Sequence, residues 1–350
     1  MKTLLAALSV VALTAAPPSQ SSSQSGTWDA NLRDSWSRSG ERQISIQMRQ
    51  GDSHQYGNSF RLSDLEGLGT PDARWSSPGE VRFALKRDAG AFDFRGRFDD
   101  GRGAGTFTFT ANAEFLAAMR QRGYRDADDR DAMRMALLDV SRAFIASIEK
   151  QGYKDLSLDQ LVRLRIHGVD ADYIIAMRDA GFDRLSPDDL ERSRIHGATP
   201  DYIREMKAAG YSGMTMEGLV RTRIHGATPE FVREVQKAGY ERPDVDTLVR
   251  MRIHGVTPEY IKSVRELGYE KPGIDDLVRM RIHGVTPDFI REMKQAGYSG
   301  LSIDRLVQFR IHGVDAEFVR QANAAGFKDL DADDLVDLAI HGRRWMSRRR

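Results

Sequence analysis

Seven histidines recur every 29 residues, at His167, His196, His225, His254, His283, His312 and His341, each inside the tripeptide Ile-His-Gly. Imidazole binds metals readily and titrates near neutrality, so a register of this kind invites either a metal centre or a pH-responsive ladder. Spacing argues against the metal. Helices stacked side by side lie about 8–10 Å apart, whereas zinc holds its ligand nitrogens at about 2.1 Å, so one histidine per layer cannot chelate. No HExxH and no histidine pair at i, i+4 occurs, and His54 stands alone. The chain is therefore expected to hold no metal and no cofactor. Each histidine is read instead as closing a helix, where free carbonyls and the negative end of the dipole favour a donor.

A row of arginines precedes these histidines by two residues: Arg165, Arg194, Arg223, Arg252, Arg281 and Arg310. On a helical wheel Leu158, Leu161, Val162, Leu164 and Ile166 are read as the apolar arc, with Arg165 in its middle and Asp159, Arg163 and His167 on the opposite stripe. A cation on a buried face requires a partner. The acids that open each following helix, Asp172, Asp201, Glu230, Glu259, Asp288 and Glu317, are the expected partners in a structural ladder. Presence and loss go together: a degenerate unit has Ala136 and Ala143 at the two positions, and the last has Ala339 and no second helix. A ligand-binding arginine row is the alternative. Asp159 with Arg163, Asp188 with Arg192, Glu217 with Arg221, Asp246 with Arg250 and Asp275 with Arg279 read as i, i+4 pairs on a solvated face.

Catalytic patterns are missing from the sequence. Ser147 to Lys150 matches SxxK without SDN or KTG, and there is no GxSxG, P-loop or dinucleotide fingerprint. The chain is read as non-enzymatic, with an unrecognised hydrolase in the β region as the enzymatic alternative.

The elements that carry these residues follow from the period. Ser157, Ser186, Thr215, Asp244, Ser302 and Asp331 cap one helix of each unit. Thr199, Thr228, Thr257 and Thr286, each followed by proline, cap the other. Only Gly and Val or Ala separate the first helix from the second cap, so each unit is a tight αα-hairpin. Units of this size stack to acquire a core, expected to contain Leu248, Met251, Ile253, Tyr260, Ile261 and Val264. Residues 113–153 form degenerate repeats, with Leu138 in the histidine position, and 154–342 form the α-solenoid proper.

From Trp28 to Asn112 the apolar period is two instead. Ile44 and Ile46, then Val81, Phe83 and Leu85, then Phe92, Phe94 and Phe98, then Phe107 and Phe109 mark strands. Residues 80–110 read as a three-strand meander with turns at 88–90 and at the glycine-rich 99–105. Trp28, Trp36 and Trp75 are available to cover its phenylalanine face, and Phe60–Leu68 includes one helical turn. The expected class is α+β: a small antiparallel β domain at 28–112, followed by an αα-hairpin solenoid of 29-residue repeats.

The ends set the compartment. Lys2 and the apolar run after it read as a signal peptide over 1–16, with an uncleaved anchor as alternative, and 17–27 as a linker. The 350 residues hold 52 Lys+Arg, 51 Asp+Glu and no cysteine. This excludes a disulfide framework, a thiolate metal site and a cysteine nucleophile. Five arginines lie in the tail 343–350, leaving −4 elsewhere. Arg343, Arg344, Trp345, Arg348, Arg349 and Arg350 suit contact with an anionic membrane surface. Export places the protein in the periplasm or outside the cell, away from nucleic acid.

The repeats LVRMRIHGVTPEYIKSVRELGYEKPGID at 248–275 and LVRMRIHGVTPDFIREMKQAGYSGLSID at 277–304 resemble a bacterial 29-residue repeat of the form IHGVTPEFI…GY. Similar arrays follow a small β region in penicillin-sensing antirepressor metallopeptidases and in free-standing secreted proteins. The likeness covers about 110–342, and FRGRFDDGRGAGTFTFTANAEF at 94–115 is similar too. This chain has neither the membrane helices nor the HExxH site of the peptidases, so the resemblance implies only extracytoplasmic sensing or docking. The functional expectation is a protein-interaction module or scaffold that binds another protein or an envelope component. The runner-up is a sensor or accessory component of an antibiotic or envelope-stress signalling protease system.

Overall fold

The computed structural model describes residues 23–31, 42–51, 54–68 and 79–342. The signal segment, Trp36, Trp75 and the basic tail lie outside the described residues. The chain is α+β and divides into two compact units, Met1–Ile174 and Ile175–Arg350.

The first unit contains a seven-stranded antiparallel sheet in the order β3-β2-β1-β7-β6-β5-β4. Its strands are β1 Gln24–Asn31, β2 Gln43–Gln50, β3 His54–Arg61, β4 Leu65–Glu66, β5 Gly79–Arg87, β6 Gly90–Asp99 and β7 Arg102–Ala111. The expected meander is β5-β6-β7. A single 3-10 turn, Leu62–Asp64, precedes β4. Strand β1 starts at Gln24, inside the segment read as linker. Strand β3 was not expected, because HQYGNSFR has too few apolar residues to show the alternation of a half-buried strand.

Phe92, Phe94, Phe98, Phe107 and Phe109 are fully buried on one face. Trp28 covers them, edge-on to Phe83 and Phe94, and its Nε1 donates to the carbonyls of Arg95 and Thr106 at 3.2 and 3.1 Å. The glycines at 103 and 105 are not a loop but part of β7. Gly105 faces Gly96 in register, and a Cβ on Gly96 would stand 2.7 Å from the Trp28 ring and 2.2 Å from the Ala104 oxygen. Bare backbone is what lets the indole lie down there.

Helices α1 Ala113–Gln121, α2 Asp129–Leu137 and α3 Arg142–Lys150 follow, and α2 rests on β5, β6 and β7. Arg142 grips Asp88 at the β5–β6 turn, with Nη2 to Oδ1 at 2.5 Å, and holds that carboxyl below the usual carboxylate range.

Then come α4 Leu158–Ile166, α5 Ala171–Asp179, α6 Pro187–His196, α7 Pro200–Ala208, α8 Met216–Ile224, α9 Pro229–Lys237, α10 Val245–Ile253 and α11 Pro258–Glu266. The series continues with α12 Ile274–Ile282, α13 Pro287–Gln295, α14 Ile303–His312, α15 Ala316–Ala324 and α16 Ala332–Asp337. The six capping residues named for the first helices each accept a backbone N–H, and so do the four threonines. Gly273 is a cap without a side chain.

Within the second unit, α6, α8, α10, α12, α14 and α16 contact one another in succession, as do α7, α9, α11 and α13. Tyrosines stitch neighbouring repeats. Tyr211, Tyr240, Tyr269 and Tyr298 donate to the carbonyls of Pro243, Pro272, Leu301 and Leu330 at 2.6–2.7 Å. The buried Tyr260 hydroxyl donates to Val285 at 2.8 Å, and burial pushes it up to about 12.

Candidate interaction surface

The arginines of the row make contacts within the fold, but with partners that differ from those expected. Arg252 reaches back to the preceding repeat, where its guanidinium sits 5.0 Å from the Phe231 ring centre and its Nε donates to the His225 carbonyl at 3.5 Å. Arg281 does the same over Tyr260, with Nε to the His254 carbonyl at 3.4 Å. Arg223 lies over Tyr202 and Arg310 over Phe289, at 5.2 and 5.0 Å. In the first unit Arg165 lies over Phe144, and its Nη2 is 2.5 Å from Asp139, which stands where later repeats have glycine.

The helix-opening acids turn elsewhere. Asp201 pairs with Arg204, Glu230 with Arg233, Asp288 with Arg291 and Glu317 with Arg320. Glu259 is held below its usual value chiefly by its own backbone N–H and the Thr257 hydroxyl, with a smaller pull from Arg252. The expected ladder is corrected because these arginines are only half-buried or exposed. A planar guanidinium can satisfy itself on a ring face and a helix-end carbonyl while keeping water.

That placement explains the glycine of Ile-His-Gly. Gly197, Gly226, Gly255 and Gly284 have φ of 70–72°, a left-handed turn that ends the helix. The next arginine also lies on them. A Cβ on Gly255 would stand 2.9 Å from Arg281 Nη2, and one on Gly226 3.1 Å from Arg252 Nη2.

The histidines do stand at helix ends, but the rings of His225, His254 and His283 make no hydrogen bond among the described residues. The backbone carbonyls of His225 and His254 accept instead from the arginine of the following repeat. No group of three or more His, Asp or Glu placed to hold a metal occurs among the described residues.

The outer stripe is also rewired. Arg192 pairs with Glu217 at 2.7 Å, Arg221 with Asp246 at 2.7 Å, Arg250 with Asp275 and Arg279 with Asp304 at 2.5 Å, each acid belonging to the next repeat. These four pairs cross to the next repeat, while Arg279 also bonds Asp276 within its own helix at 2.9 Å.

The largest correction concerns isoleucine. Ile253 and Ile166 were expected in the core, yet Ile166, Ile195, Ile224, Ile253, Ile282, Ile311 and Ile340 are all exposed, from 48% at Ile340 to 57% at Ile253. The signal was in the spacing: Ile253 lies seven residues after Asp246 and three after Arg250, which puts it on their stripe. Isoleucine and histidine of the motif therefore share one corner, and at Gly197, Gly226, Gly255 and Gly284 the next repeat's guanidinium lies against the adjoining glycine.

No family model matches the chain, and no curated protein matches it.

Proposed function

We propose that this chain is a non-enzymatic extracytoplasmic interaction module, a 29-residue-repeat α-solenoid that docks another protein on its isoleucine row. The observation that supports this is the exposed isoleucine kept in all seven Ile-His-Gly units, the incomplete last one included. Packing does not require it. The position after the outer-stripe acid, exposed or half-exposed, runs Gln160, Asp189, Gly218, Thr247, Asp276, Arg305 and Asp334, so the surface of these helices tolerates wide variation. Arginine and glycine of the motif make contacts within the fold; isoleucine is presented to solvent, beside exposed His196, His225 and His283. Apolar side chains in a contiguous exposed row mark contact surfaces.

Export is part of the same reading, supported by the apolar run after Lys2 and by the resemblance to secreted repeat arrays. No helix among the described residues is long and apolar enough to cross a membrane.

The test is cross-linking of full-length protein in periplasmic extract, comparing the natural chain with Ile224→Ser/Ile253→Ser/Ile282→Ser. The variant should lose cross-linked partners while keeping its far-ultraviolet circular dichroism and melting temperature. Unchanged cross-linking by a folded variant would remove the row from the interface, and full-length protein with intact Met1 in the cytosol would end the export reading.

A further inference from the structure

The corners described above combine an apolar side chain with guanidinium groups that form no ion pair among the described residues. Resting on the docking reading, we infer that the row takes an extended acidic peptide segment in polyproline II geometry, with an apolar side chain at every third residue.

Charge selects the sign of the partner. The outer-stripe arginines are consumed by the acids of the following repeat, and the helix-opening acids Asp201, Glu230 and Asp288 by their own i+3 arginines. Among the described residues, Arg223, Arg252, Arg281 and Arg310 pair with no carboxylate. Arg252 spends one N–H on the His225 carbonyl and a face on Phe231, leaving other donors of its fork for a carboxylate. Exposed His225 and His283 stand at the same corners. An anionic bilayer fits less well, because the same helix stripes carry Asp246, Asp275 and Asp304, whose side chains are 72–83% exposed and would face the lipid charge.

Pitch selects the conformation. Alternate helices α8, α10, α12 and α14 contact in succession, so the corners repeat at a side-by-side helix spacing of about 8–10 Å. A β-strand returns a side chain to one face every ~6.7 Å or ~13 Å. A helical heptad spans ~10.5 Å and drifts around the axis. Polyproline II returns one every three residues, at about 9.3 Å, without drift and with its backbone already extended. Successive apolar residues then meet Ile224, Ile253 and Ile282, and the intervening acids face Arg252, Arg281 and Arg310.

The experiment uses full-length protein and a fluorescein-labelled peptide of four Glu-Pro-Leu triplets, read by anisotropy at low salt. The comparison probes are four Lys-Pro-Leu triplets, four Glu-Pro-Ser triplets and phosphatidylglycerol vesicles. Saturable binding of the first peptide alone is expected, weakened about tenfold or more by Ile224→Ser/Ile253→Ser/Ile282→Ser and falling with added salt. No binding of Glu-Pro-Leu, equal binding of Lys-Pro-Leu, binding of vesicles in its place, or indifference to the isoleucine substitutions overturns the inference. If the acidic peptide fails while the same variant still loses its cross-linked partners, the docking reading survives and only this partner chemistry falls.

Discussion

Replacing Arg252 with alanine separates a ladder of ion pairs from a ladder of ring stacks. If Arg252 neutralised a buried acid, removing it would leave that charge unpaired at a cost of about 3–5 kcal/mol. The structure gives a smaller figure. The stack 5.0 Å above Phe231 is partly exposed, and contributes about 0.5–1 kcal/mol. The Nε bond to the His225 carbonyl, at 3.5 Å, is at the limit of hydrogen-bond length, and contributes no more than about 0.5 kcal/mol. Arg252→Ala should therefore cost about 0.5–1.5 kcal/mol, read as the shift in urea midpoint of the full-length protein. A double-mutant cycle with Phe231→Leu should show a coupling of about 0.5–1 kcal/mol, and one with Glu259→Gln less than about 0.3 kcal/mol. Arg250→Ala, on the exposed ladder, should cost under about 1 kcal/mol. A loss above 3 kcal/mol for Arg252→Ala, or a stronger coupling to Glu259 than to Phe231, would refute the assignment.

Tyr260 is protonated in the folded protein up to about 12 because its hydroxyl is buried, whereas in the unfolded chain tyrosine ionises near 10. Between those values the folded state holds a proton that the unfolded state has lost, so stability falls as pH rises through that window. Melting curves of Tyr260→Phe should show less of this alkaline loss than the natural chain; an identical loss would show that the hydroxyl is not the group responsible. In the β sheet, Gly96→Ala should destabilise by about 1–3 kcal/mol or more, since backbone and indole must both move, with Trp28 fluorescence shifting as the indole is displaced. An unperturbed emission spectrum with full stability would contradict the close approach at that position.

Much of the architecture was written locally. Ser, Thr and Asp at the caps, proline at the first helical position and glycine after histidine specify helix ends through bonds made within a few residues. The 88–90 turn and the phenylalanine alternation specify the meander in the same way. Strand β3 escaped because a polar strand depends on its neighbour β2 for its existence, and Gly103 and Gly105 of β7 looked like loop because what needs them, the Phe98 ring and the Arg95 carbonyl, belongs to the neighbouring strand β6. The expected partners of Arg252 were the helix-opening acids, Glu259 in its own unit or Glu230 or Asp288 in an adjoining one, yet Glu230 and Asp288 pair with other arginines and Glu259 feels Arg252 only as a lesser electrostatic pull. A side chain that reaches across to the previous repeat chooses among a ring, a carbonyl and a carboxylate by three-dimensional proximity, which the period cannot express. The exposed isoleucine lies between these cases. Its spacing from Asp246 and Arg250 already placed it on the polar stripe, but only the packed helices, by burying Leu248, Val249 and Met251 and leaving Ile253 out, decided which apolar residues were core and which were left for a partner.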